Sequence, residues 1–480
     1  MADMAEISRP ELCIVGAGAL GIALAQHARR LGAGVMLVDR GFSEPGEDPL
    51  RAVRVASLSA SASAAVAMRA GPALGLGAGD PKISMKAVQE RARQVVAAQA
   101  PLVSHERLRA LGIEVVSGQA QFIDPTGLKV GDQVIRPQAM VLAVGANPIL
   151  PEVPGLEDIE YFTPHSILDN VRKLTHLLVI GGDPEGLALA QAYARLGSGV
   201  TVVPQGWALS GYDVEAASIL MQALSDEGVR IVDGGKVRVL QPRSQGIGAV
   251  VDLADGGEMA LDLSHVMVCH GHMANLGSLK LEAARLRPLR GQVGRYAIGA
   301  LGQTSNGKVR VVGAAAGLDR WHHTVSHGRS VVDALVLGVP AHRPAAQPQL
   351  VLTEPALAQI GRFPADPGKL AAGHGIYRTS FAENGMAQAL GKAAGLIKVL
   401  ADAKGRVVAA SLVGPGAAEM AAVLALAMDR DVPLEALADL PIPDPSLISS
   451  LVDLGETRLA GRTVSNWAKR RGALRRLLRL

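Results

Sequence analysis

The apolar positions fall into short unbroken runs separated by alanine- and leucine-rich stretches of helical length. This is the pattern of parallel strands buried on both faces and joined by helices. The runs are Leu12-Cys13-Ile14-Val15, Val35-Met36-Leu37-Val38, Met140-Val141-Leu142-Ala143-Val144, Leu178-Val179-Ile180, Val200-Thr201-Val202-Val203 and Val309-Arg310-Val311-Val312. Residues 55–68 and 84–108 read as helices, and Ile113-Glu114-Val115-Val116 and Lys129-Val130 as short strands. Beyond the proline-rich segment 339–348 the pattern changes to neighbouring strands at 395–400 and 407–413, followed by a long Ala/Leu helix, which predicts a separate α+β domain. The expected organisation is a first domain over 1–155, a second over 156–273, a segment 274–340 returning to the first, a C-terminal domain over 349–461 and a tail over 462–480.

Two of the strands run into glycine-rich turns. After Val15 come Gly16, Gly18 and Gly21, then a helix and a strand ending on Asp39. Gly16 permits the tight turn, Gly18 lets a pyrophosphate approach the backbone at a helix N-terminus, and Gly21 lets helix and strand pack closely. Asp39 is placed to accept from a ribose hydroxyl, which completes a Rossmann-type dinucleotide fingerprint. The second turn, Gly181-Gly182-Asp183-Pro184-Glu185-Gly186, keeps the outline but puts Asp183 at the middle glycine. A carboxylate about 5 Å from a phosphate at an effective dielectric near 20 is repelled by roughly 3 kcal/mol, about two orders of magnitude in affinity. The following strand ends on Pro204 and Gln205, with neither an acid for a ribose nor an Arg for a 2′-phosphate. NAD(P)H binding is therefore expected to be lost there.

With 480 residues, 49% of them hydrophobic, the chain has ample material for several cores. No apolar run of 18 residues free of charge occurs and the start of the chain is interrupted by Asp3, Glu6 and Arg9, so the expectation is a cytoplasmic protein without a transmembrane helix or signal peptide. The two cysteines, Cys13 and Cys269, lie in apolar runs and read as core residues; no metal site is expected. Charge is uneven. Residues 462–480 carry seven basic and no acidic residues, leaving 41 basic against 44 acidic elsewhere. A short basic amphipathic helix there suits an acidic partner or a peripheral contact with a membrane surface, or is simply a solvated end. No aromatic residues interleave with basic ones elsewhere, so nucleic acid is not an expected partner.

Further motifs carry a resemblance. Ala143-Val144-Gly145-Ala146-Asn147-Pro148 with Pro151 and Pro154-Gly155 is similar to an ATGxxPxxPxxPG segment, Gly271-His272-Met273-Ala274-Asn275 to a GRxPN turn, and Val351-Leu352-Thr353-Glu354-Pro355 with Ala358 and Gly361 to FTxPxxAxxG. With the first fingerprint, these resemble the pyridine nucleotide-disulfide oxidoreductase family, nearest its dihydrolipoamide dehydrogenase and mercuric-reductase-like members. The resemblance implies an α/β homodimer with an FAD-binding domain, an NAD(P)-type domain and a C-terminal dimerisation domain. It places Gly16, Gly18, Gly21 and Asp39 on the ADP half of FAD, Gly145 at the domain crossing, and Gly313 and His323 near the ribityl chain and ring.

The same resemblance implies that the family's catalytic groups are missing. The dithiol segment GGTCxNxGCxPSK falls on residues 46–58, with Pro49 and Arg54 at the cysteine positions. Thiolate chemistry is excluded at those positions, and with it disulfide reduction of the family type. A Lys–Glu pair falls on Leu58 and Ala188, the His and Glu of HPTxSE on Asp444 and Ser449, and the Asp of a GD motif on Ala314. Arg54, as a group that stabilises reduced flavin, His323 and Asp444 remain as catalytic candidates. The function expected is an FAD oxidoreductase working by direct hydride or electron transfer at the flavin. The alternatives are a non-catalytic dimeric binding or scaffolding subunit, and a regulator holding FAD, NAD or ADP as a structural ligand. If the tail binds anionic surfaces, cosedimentation with anionic liposomes will weaken as salt rises and vanish on deleting residues 462–480.

Overall fold

The computed structural model describes residues 7–41, 48–77, 79–289, 296–318, 320–339, 346–364, 366 and 368–461. The basic tail lies outside them. Two compact units emerge, one of residues 1–208 with 224–344, the other of 209–223 with 345–480. In the first unit a five-stranded parallel sheet runs in the order Val309–Val311, Ala139–Leu142, Leu12–Val15, Val35–Asp39, Ile113–Ser117. Its central strands are buried along their whole length, as continuous apolar runs require when both faces are covered. Helix α1 (Ala19–Arg30) and the helix Trp321–Leu337 cover one face, and Leu24, Ala25, Ala28, Val331 and Val332 meet Ile14, Leu37 and Val141 there. The late strand Val309–Val311 thus closes the sheet beside Ala139–Leu142.

Helix α2 (Arg51–Arg69) follows, then α3 (Met85–Gln99) and α4 (His105–Ala110). The single helix expected over 84–108 is in fact broken. Residues Ala100–Val103 form a short 3₁₀ turn with Pro101 in it, and Ser104 starts a new helix by accepting from the Arg107 N–H. A proline ring blocks the helical carbonyl four residues back, so the apolar period survives while the axis is reset.

A second parallel sheet has the order Tyr161–Phe162, His265–Val268, His176–Ile180, Gly199–Val203, Val229–Ile231, with helix α5 (Pro184–Arg195) after its central strand. Two of the motifs, far apart in sequence, meet as a crossing ribbon: His272, Met273 and Ala274 pair antiparallel with Pro148, Asn147 and Ala146, and Asn275 donates its N–H to the Gly145 carbonyl. The second unit is an antiparallel sheet in the order Gln349–Val351, Ala356–Ile360, Val407–Gly414, Leu396–Ala401, Gly375–Ser380, packed with the helices Ala417–Asp429 and Ser449–Ala460. Phe381 is fully buried in this core. Phe381→Ala is expected to lower stability by about 3–5 kcal/mol in urea denaturation, the range for deleting a buried aromatic side chain.

Candidate functional site

The same local rule builds both glycine turns. At Gly16 the backbone has φ +110°, and a Cβ there would stand 2.3 Å from the Ala143 carbonyl oxygen; at Gly21 it would stand 1.8 Å from that of Gly16. Gly181 repeats the geometry, with φ +118° and a Cβ that would meet the Cys269 carbonyl oxygen at 1.7 Å. Glycine is obligatory at all three: the backbone approach leaves no room for a Cβ, and at Gly16 and Gly181 the positive φ also excludes one.

The two helices differ in what stands at their N-termini. Gly18 caps α1 in extended conformation with no side chain on the first N–H groups, no acid follows in the first turn, and His27, Arg29 and Arg30 sit in the last turn. Its dipole is balanced at the C-terminal end and its N-terminal donors are left for a ligand anion. On α5, Asp183 is itself the cap: its Oδ1 accepts from the Gly186 N–H at 2.6 Å, with Pro184 next and Glu185 in the first turn. Besides the expected repulsion, the carboxylate takes up one of the helix N-terminal donors, the Gly186 N–H. Burial pushes the Asp183 carboxyl up from its ordinary pKa, against the pull of the Gly186 N–H.

A cavity of about 1570 Å³ opens on the first turn. Gly16, Gly18, Asp39, Gly145, Gly313 and Ala314 all line it, whereas Gly21 does its work behind the wall, in the contact with Gly16. Asp39 is almost fully buried at the end of its strand; Oδ1 accepts from the Gly41 N–H at 2.8 Å and Oδ2 lies 2.6 Å from His105 Nε2. Open helix donors, a side-chain-free cradle and a buried acid at the next strand end fit the ADP half of a dinucleotide.

Other expected residues are placed differently. Arg54 is absent from the cavity lining; its Nη2 donates to the Leu168 carbonyl at 2.6 Å and pairs with Asp169. Arg51 lines the cavity instead and pairs with Glu185. The helices α2 and α5 therefore do share an ion pair, at their N-terminal ends, while the expected positions Leu58 and Ala188 stay apolar. The sequence held one signal of this: arginines in the first turn of a helix oppose its dipole unless a carboxylate answers them. His323 is also off the lining, which the same helix supplies through Trp321 and Thr324; its ring packs edge-on against His322. Asp444 belongs to the C-terminal unit and is exposed. Asn384, which sequence reading passed over, ties down the loop after Asp444: its Nδ2, with two N–H groups to donate, lies within hydrogen-bond distance of the carbonyls of Ser446 and Leu447 and the hydroxyls of Ser449 and Ser450.

Both cysteines are buried and free; desolvation pushes the Cys13 thiol up to about 12 and that of Cys269 well above its ordinary value. His165 lines the cavity, and burial together with the Arg51 charge lowers its pKa. Among the described residues no group of three or more His, Cys, Asp and Glu is arranged for a metal ion, and no helix is long and apolar enough to cross a membrane.

Residues 10–328 match the pyridine nucleotide-disulphide oxidoreductase family, and residues 347–454 match that family's dimerisation domain. The chain belongs to this family. It is 25% identical over 438 residues to a mercuric reductase of Streptomyces lividans, covering 89% of this chain and 92% of that protein, and 27% identical over 467 residues to a dihydrolipoyl dehydrogenase of Geobacillus stearothermophilus, covering 94% and 96%. The fold is shared with LpdA of Mycobacterium tuberculosis, at TM-score 0.82 and 22% identity over 94% of this chain and 99% of that one. It is also shared with the HOCl-induced flavoprotein disulfide reductase RclA of Escherichia coli, at TM-score 0.80 and 21% identity over 93% and 99%.

The Asp183 cap has a pH signature. A carboxyl whose pKa is raised on folding stabilises the fold below its unfolded pKa and loses that contribution as pH rises through the folded value. Asp183→Asn keeps a capping oxygen without the charge, so its stability relative to wild type is expected to be greater at pH 7 than at pH 3, read from paired denaturation curves.

Proposed function

We propose that this family member binds FAD in the cavity on the first glycine turn and acts by direct hydride or electron transfer at the flavin, without a dithiol relay and without NAD(P)H at the second turn. The observation that carries the reading is the contrast between the two helix N-termini. α1 has no side chain on its first N–H groups and a turn that admits no Cβ at Gly16 or Gly21, whereas on α5 the Asp183 carboxylate caps the Gly186 N–H. FAD supplies two-electron chemistry when bound, so the protein is asked only to hold and orient it. In that reading the α1 N-terminus holds the pyrophosphate, Asp39 accepts from the ribose, and Gly145, Gly313 and Ala314 allow close backbone approach farther along the cavity.

Three things support the loss of disulfide chemistry. The chain has only two cysteines, both are buried, and both thiols are held far above the pKa of a useful nucleophile. At the start of α2, Arg51 and Arg54 are engaged with Glu185 and Asp169 rather than poised as redox groups. The match of residues 347–454 to the dimerisation domain supports a homodimer.

The visible spectrum of purified protein tests the reading. Bands at about 370 and about 450 nm, one flavin per subunit, should bleach with dithionite and not with NADH or NADPH, and should be lost in Gly18→Val, whose side chain fills the pyrophosphate approach. Bleaching by either nicotinamide nucleotide would overturn the second-site argument. A colourless protein that cannot be reconstituted with FAD would replace the reading with that of a non-catalytic dimeric subunit.

A further inference from the structure

The FAD reading leaves one buried contact unused. Asp39 is only 5% exposed, and a carboxylate so enclosed must have partners for its charge. Gly41 N–H serves Oδ1 at 2.8 Å, and the other partner is a side chain 66 residues away in sequence, His105, with Nε2 at 2.6 Å from Oδ2. Nothing in the glycine fingerprint calls for it. It is there because Pro101 breaks the α3 helix and Ser104 restarts it as α4, so that the first residue of the new helix faces the strand end that carries Asp39. The ring is partly enclosed, its side chain about one third exposed, and a smaller cavity of about 360 Å³ opens on both His105 and Asp39, walled by Ala17, Ile22, Val103 and Leu108.

We propose that His105 is a positioning residue for the adenosine ribose, acting through Asp39. A carboxylate has about four lone-pair sites. Gly41 and His105 take one on each oxygen, which fixes the plane of the carboxylate and leaves the remaining sites for the vicinal hydroxyls of a ribose. Without the imidazole, Oδ2 loses its only side-chain partner among the described contacts, and the carboxylate is free to turn toward the small cavity. A precise acceptor becomes a rotating one, and binding weakens through lost pre-organisation. The ligand class is any nucleotide with an intact adenosine 2′,3′-diol, FAD or ADP. The inference rests on the reading of the first turn as a dinucleotide site.

The experiment uses full-length chain stripped of any nucleotide, with calorimetric affinities for FAD, ADP and 2′,3′-dideoxy-ADP in wild type, His105→Leu, His105→Gln, Asp39→Asn and the double variant of His105→Leu with Asp39→Asn. Charge-assisted hydrogen bonds of this type are worth roughly 10- to 100-fold, so His105→Leu should weaken FAD and ADP by about 10-fold or more, and His105→Gln, which restores an N–H donor, by roughly 3-fold at most. The dideoxy nucleotide should bind wild type and His105→Leu alike, and His105→Leu should add little to Asp39→Asn. Equal loss of ADP and dideoxy-ADP in His105→Leu would assign the histidine to packing and overturn the inference, as would unchanged ADP affinity. A wild type that takes neither FAD nor ADP overturns the underlying site reading as well, a result distinguishable from either of these. Thermal melts of His105→Gln and His105→Leu that match wild type tie the losses to the ligand and not to folding.

Discussion

An α-helix leaves its first N–H groups without partners, and whatever answers them decides what the end of that helix can do. In this chain two helices begin after almost identical glycine turns, each on the central strand of a parallel sheet. On α1 no side chain among the described residues answers, the cap is Gly18, and the turn lines a cavity. On α5 a carboxylate answers from within, taking the Gly186 N–H. The two turns thus differ by one side chain in what is left exposed at the helix N-terminus.

The first turn of α2 follows the same electrostatic logic. Arg51 and Arg54 stand where a helix dipole disfavours cations, and each is matched by a carboxylate, Glu185 on α5 and Asp169 on the 3₁₀ turn Ser166–Asp169. These pairs tie α2 to the second parallel sheet's helices, and Arg69 adds a hydrogen bond to the Arg195 carbonyl at the far end of the same helix. Arginine contacts thus hold α2 at both ends. Leu58 and Ala188, on the same two helices, are apolar, so neither position adds a charge to be matched.

Much of this was legible beforehand because it depends on rules local in sequence. Strand-length apolar runs gave both parallel sheets, Gly16 and Gly181 gave the turns, and the Gly145–Pro148 and Gly271–Asn275 segments were recognisable as motifs. What could not be read was orientation. Whether Arg51 or Arg54 faces the cavity depends on 300° of helical rotation between them, and whether Thr324 or His323 does depends on 100°, and both angles are set by packing of the whole helix. The break at Pro101 shifts α4 in the same way, and with it His105.

The sequence by itself therefore determined the fold class, the family pattern, the scarcity of thiols and the presence of Asp183 at a position meant for glycine, since each is a matter of residue type at a fixed spacing. Tertiary structure decided what those residues do. It turned Asp183 from a repelling charge into a helix cap, set His105 against Asp39, exchanged Arg54 for Arg51 at the cavity wall and gave α2 and α5 an ion pair at a place the motif does not mark. Hydrogen bonds and ion pairs act over about 3 Å, and only the packed chain fixes distances on that scale between residues far apart in sequence.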